Sequence, residues 1–71
     1  MSGKQVIVTI EHEKVDDVQT TIELLKSLGL KIDSTQQILS ATYIHGTVEE
    51  EITSPAQEGV HWEEAGWQRE N

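Results

Sequence analysis

An apolar run broken only by the hydroxyl of Thr9, Val6-Ile7-Val8-Thr9-Ile10, follows Gln5 and is the stretch densest in β-branched residues. Val6, Val8 and Ile10 fall on one side of an extended chain, Ile7 and Thr9 on the other, as in a central strand with one dry face. After the polar connector Glu11-His12-Glu13-Lys14 the period changes. Val15, Val18, Ile22 and Leu25, joined by Leu24 and Leu28, recur at three- and four-residue spacing and predict an amphipathic helix from Val15 to Leu28. Asp16 and Asp17 stand in its expected first turn, where carboxylates favour the positive end of the dipole, and Gly29 is placed as a left-handed cap. Gln19, Thr20, Glu23 and Lys26 form its wet face.

Extended structure resumes at Leu30-Lys31-Ile32, and the polar run Asp33–Gln37 suits an edge strand. Ile38–Ala41 is the expected hairpin. In Thr42–Val48, Thr42, Ile44, Gly46 and Val48 share one face of a second central strand while Tyr43, His45 and Thr47 share the other. Glu49–Gln57 admits a short helix with Thr47 as its cap, but Ile52 and Ala56 are almost its only apolar residues and Pro55 disfavours helical geometry at Ser54, so a turn or loop competes. Val60-His61-Trp62-Glu63-Glu64 reads as the last strand, with Val60 and Trp62 on one face. The expected fold is therefore α+β, a ferredoxin-like βαββαβ arrangement over residues 1–64: a four-stranded antiparallel sheet with both helices, the second short or irregular, on one face. Residues 65–71 are expected to be a tail.

Charge then narrows the function classes. The net charge is −8, and after Lys31 the only cation is Arg69 among Glu49, Glu50, Glu51, Glu58, Glu63, Glu64 and Glu70. Such a surface repels phosphate backbones and anionic lipid, so neither nucleic acid nor a membrane is an expected partner. An electropositive protein surface or a set of helix N-termini suits it better. There is no cysteine, hence no disulfide and no thiolate metal site. A core this small supplies only ~3–5 kcal/mol of net stability. No apolar run follows Met1-Ser2-Gly3-Lys4 and none approaches the ~20 residues of a membrane span; a cytoplasmic location is expected.

Chemistry-bearing motifs are absent. No Gly-x-Ser-x-Gly frame or glycine-rich phosphate loop occurs, and no cofactor is expected. His12, His45 and His61 lack zinc-ligand spacing, although His45 and His61 fall on one sheet face; exposed strand histidines are favoured over a metal site, with a His45/His61 ligand site as a minor alternative. The run Glu49–Glu51 is read as a solvated turn or a helix-start charge cluster. The chain is thus expected to be non-catalytic. With the helices on one side, Ile7, Thr9, Tyr43 and His45 are left on an open face of the kind that marks an interface. Trp62 belongs with the core; Trp67 either folds back on the sheet or is held out as an anchor for a partner.

The first strand Lys4–Ile10, the helix ending at Gly29, the extended segment with Ile32, the Ile38–Val48 hairpin half and the close Gly59-Val60-His61-Trp62-Glu63-Glu64 together resemble the subtilisin-propeptide and proteinase-B-inhibitor family. They also resemble small stand-alone bacterial proteins of this shape, cyanobacterial ones among them. The family resemblance implies an inhibitor or folding assistant of a subtilisin-like serine protease. In it the open sheet face would rest on two protease helices, Glu63 and Glu64 would cap helix N-termini, and the tail from Ala65, Gly66 and Trp67 to Asn71 would lie in the substrate cleft. Three features depart from the family: the short spacing before the acidic pair, the apolar-poor 49–57 segment with Pro55, and the polar end Gln68-Arg69-Glu70-Asn71. The alternative is a small regulatory or assembly subunit that forms a homodimer, or docks on a larger complex, through the open face or a sheet edge.

Overall fold

The computed structural model describes residues 3–64. Five elements follow one another: β1 (Gly3–Glu11), α1 (Val18–Ser27), β2 (Lys31–Ile38), β3 (Ala41–Glu49) and β4 (Val60–Glu64). The sheet order is β2-β3-β1-β4 with every neighbouring pair antiparallel. This is the strand order of a ferredoxin-like sheet, here with one helix. The strand richest in β-branched residues lies in the middle, where pairing on both sides satisfies its backbone.

Val6, Val8 and Ile10 of β1, Ile44 and Val48 of β3 and Val60 of β4 turn to the same side and meet Val15, Leu25 and Leu30 in the core. The helix that covers them starts later than its pattern predicts. Asp17 is the N-cap: its backbone is extended and its carboxylate accepts the Thr20 N–H at 3.2 Å. Asp16 and Asp17 therefore precede the first turn. Hydrogen bonding to Thr20 holds the Asp17 carboxyl below the usual aspartate range, as expected for a charged cap. At the other end the Gly29 N–H reaches the Lys26 carbonyl and the Leu30 N–H the Leu25 carbonyl, the paired bonds of a Schellman cap, with Gly29 at φ +109°. One helical position is corrected: Leu24 is exposed, and Thr21 is buried in its stead. Steps of three and four from Val18 reach Thr21, Ile22 and Leu25, while Leu24 points off that stripe. The Thr21 hydroxyl is satisfied by the Asp17 carbonyl at 3.3 Å.

Among the described residues no second helix forms. Between β3 and β4 the chain makes one turn, in which the Ile52 N–H reaches the Glu49 carbonyl at 3.0 Å, and then runs irregularly to Gly59. The glutamates contribute no apolar stripe and Pro55 excludes helical geometry before it. Ile52 and Trp62, both half-buried, pack on the core from this side. Gly59 closes the crossover at φ +84°, its carbonyl accepting the Glu11 N–H at 2.8 Å. A Cβ there would stand 2.8 Å from Val15 Cγ2 and 2.8 Å from Lys14 Cβ.

β2 carries a bulge at Asp33. Ile32 pairs with Gly46, yet Ser34 pairs with His45, so two steps along β2 match one along β3. Beyond this point the side-chain alternation of β2 is inverted. Thr35 and Gln37 face the helix and Ile38 faces away, across from Ala41. The hairpin then turns at Leu39-Ser40, with Leu39 at φ +31° and 97% exposed.

Candidate functional site

The register places the expected docking residues together. Ile7 lies between His45 of β3 and Glu63 of β4, and Thr9 lies between Tyr43 and His61. Residues paired across neighbouring strands share a face, so Ile7, Thr9, Tyr43, His45, His61 and Glu63 all occupy the side opposite α1. Ile7, Thr9 and Tyr43 are half-buried by their neighbours and His45 is exposed. No element of the described chain lies over them. Ser34, Gln36 and Ile38 of β2 extend the face beyond β3. Ile38, 45% exposed, belongs to it only because of the bulge, a displacement that residue alternation in the sequence does not signal.

Glu64, expected to act beside Glu63, is on the other face. It pairs with Val6, whose side chain is in the core, and consecutive strand residues point to opposite sides. Its carboxylate receives Lys4 Nζ at 2.7 Å and the Trp62 indole N–H at 3.4 Å. The hydrogen bond from Lys4, more than any other contact, holds Glu64 below the usual glutamate range. Of the two carboxylates, Glu63 alone stands on the open face. Ala65, Gly66, Trp67 and the rest of the tail lie outside the described residues.

The histidines are also resolved. His45 and His61 share the open face, but β1 runs between their strands, so they do not meet. His61 instead hydrogen-bonds the Glu11 carboxylate, and that hydrogen bond is the main reason the Glu11 carboxyl sits below its ordinary range. His12 Nε2 is 2.7 Å from the hydroxyl of buried Thr42, and the His12 N–H is bonded to the Ser40 carbonyl; it ties the first connector to the hairpin. Among the described residues no group of three His, Cys, Asp or Glu side chains could hold a metal ion, and no helix is long and apolar enough to cross a membrane.

Two depressions flank this arrangement. One, of about 450 Å³, is on the open face beside the bulge, lined by Gln5, Ile7, Asp33, Ser34 and His45 with backbone of Val6 and Gly46. The other, of about 300 Å³, lies between α1 and β2 and is lined by Val18, Gln19, Ile22, Thr35, Gln37 and Thr42. The first brings Ser34, His45 and Asp33 to one rim, with the Asp33 carboxylate accepting the Thr47 hydroxyl at 3.4 Å. What the open face offers is a half-apolar surface with carboxylates at its margins, suited to recognition of a protein. In comparisons with known proteins, no protein-family model, no curated protein and no solved structure matches the chain.

Proposed function

We propose that the chain is a non-catalytic protein-binding module that docks through its open sheet face. The observation that supports this reading is the asymmetry of the sheet: one side buries six apolar side chains of its strands against Val15, Leu25 and Leu30, while the other leaves Ile7, Thr9, Tyr43 and Ile38 without a covering element of the described chain. Apolar and aromatic residues grouped on an open face, with charges displaced to the edge, are the ordinary composition of an interface. The concrete form we propose is a propeptide-like inhibitor or folding assistant of a subtilisin-like serine protease, with Glu63 meeting a helix N-terminus of the enzyme and residues 65–71 entering its cleft. Inhibition of this kind occupies the cleft without productive cleavage and needs no catalytic group on the inhibitor. The position of Glu64, turned away and bound to Lys4, favours a second reading, an assembly subunit that docks through the face without a tail-in-cleft step.

Titration into a subtilisin-type protease, followed with a chromogenic peptide, tests the proposal. Saturable inhibition by the full chain that is lost on truncation after Glu64 is the expected result. Inhibition retained by the truncated chain transfers the binding to the face alone. Absence of inhibition by the folded protein at high micromolar concentration overturns the protease reading.

A further inference from the structure

The bulge at Asp33 arranges the apolar residues of the open face in a line. Ile7 is on β1. Tyr43, on the next strand, is opposite Thr9, two residues further along; Ile38, on the strand beyond, aligns through Ala41 with Glu11, two residues further again. The three side chains therefore lie on one diagonal. Each step crosses one inter-strand spacing and two residues, about 8 Å, so the diagonal spans about 16 Å, the rise of about three helical turns.

The charges fall on both sides of that line. Glu63, opposite Ile7, and Glu11, opposite Ala41 and hydrogen-bonded to His61, flank it toward β4. Glu49, at the end of β3, and Asp33, whose carboxylate accepts the Thr47 hydroxyl at 3.4 Å, flank it on the other side, with Lys31 as the one cation in these rows. An apolar line three turns long between two anionic margins is the complement of an amphipathic helix with cationic shoulders. The opposite face of the same sheet is already covered in this manner by α1, whose ten residues span about 15 Å.

Resting on the reading that the open face docks a protein, we infer that it receives a basic amphipathic α-helix. The apolar stripe of that helix lies along Ile7, Tyr43 and Ile38, and its lysines or arginines face Glu11 and Glu63 on one side and Asp33 and Glu49 on the other. A second copy of this chain is the poorer occupant, because its own margin carries the same sign.

The probe is a synthetic helical peptide of ~18 residues with leucines at i, i+3, i+4 and i+7 spacing and lysines elsewhere, titrated into the full chain while backbone amide shifts are followed by NMR. A scrambled peptide of equal charge without the stripe is run beside it. The expected result is saturable shifts at open-face positions of β1, β2 and β3, half-maximal at roughly 10–100 μM, with the scrambled peptide at least ~10-fold weaker. Ile38→Ser and Tyr43→Ser should each weaken binding ~5-fold or more; Ile38 is half-exposed on an edge strand, so the Ile38→Ser protein keeps the fold. Equal binding of the scrambled peptide, shifts confined to α1, or no saturation by ~1 mM overturns the inference. Open-face shifts that depend on the protein's own concentration overturn it in favour of a second copy. Protease inhibition without peptide binding leaves open-face docking standing and removes the basic helix; failure of both removes both.

Discussion

The two crossovers of this sheet perform the same topological task, carrying the chain from one strand past its neighbour to a parallel one, and they do it in different ways. The first, between β1 and β2, is a ten-residue helix capped at both ends, with Leu25 fully buried. The second, between β3 and β4, is an irregular run fastened by one turn at Glu49–Ile52, a hydrogen bond from the Ala56 N–H to Ser54 Oγ and a left-handed Gly59. The first has an apolar residue every three or four positions; the second has Ile52 and little else. Covering a sheet thus requires apolar side chains at the right places more than it requires a helix. Ile52 from the loop and Trp62 from the strand itself fill the space that a second helix would occupy.

Substitutions can break or sharpen this contrast. Leu25→Ala, at the centre of the helical crossover, is expected to cost about 2–5 kcal/mol in urea unfolding, through lost transfer energy and a cavity. Gly59→Ala follows at about 1–3 kcal/mol, since the new Cβ combines positive φ with a 2.8 Å approach to Val15; Gly29→Ala, with nothing within 4 Å of its Cβ, should cost less. A larger loss at Gly29 than at Gly59 would mean that the irregular crossover is the more adaptable of the two. Ile52→Ala, half-buried, should cost about 1 kcal/mol, clearly less than Leu25→Ala. Pro55→Ala should leave the helical circular dichroism unchanged, because the segment still lacks an apolar stripe; a gain in helicity would show that Pro55 alone prevents the second helix.

Acid titration gives the smallest effect. Glu11, Asp17 and Glu64 all have carboxyls held below their ordinary range in the folded chain. The unfolded state therefore binds protons first as pH falls, and stability that is fully present above ~4.5 is lost below it. Asp17→Asn keeps an N-cap acceptor while removing its proton site, so its melting temperature should depend less steeply on pH in that window. An unchanged slope would assign the acid sensitivity to Glu11 and Glu64.

The strand faces were legible because burial leaves a period of two: Val6, Val8, Ile10 and Thr42, Ile44, Gly46, Val48 are on the sides their alternation indicates. Gly29 was legible for a similar reason, standing just past the last periodic residue. Leu24 and Thr21 were not. Hydrophobicity favours Leu24, whereas the core selects by angle about the helix axis, and Thr21 enters it by giving its hydroxyl to the Asp17 carbonyl. The open face was legible in β1 and β3 but not in β2, where the polar run from Asp33 to Gln37 has no alternation to betray an extra residue. Glu64 stands on the face opposite Glu63, as strict alternation requires; family resemblance groups the two carboxylates by sequence where geometry divides them.

The bulge gives β2 one residue of slack, in a way that no substitution table would reveal. Removing Asp33 would erase one side chain and re-aim none: Ile32 already pairs with Gly46 and Ser34 with His45, so the ladder would close one-to-one with Ser34, Gln36 and Ile38 still on the open face and Thr35 and Gln37 still toward α1. The apolar diagonal would keep its end at Ile38, and the margin beside it would lose one carboxylate. For this protein an in-frame deletion of the Asp33 codon is expected to leave the two sides of β2 as they are, whereas the same loss inside β1 or β3, which carry no bulge, would exchange the sides of everything beyond it.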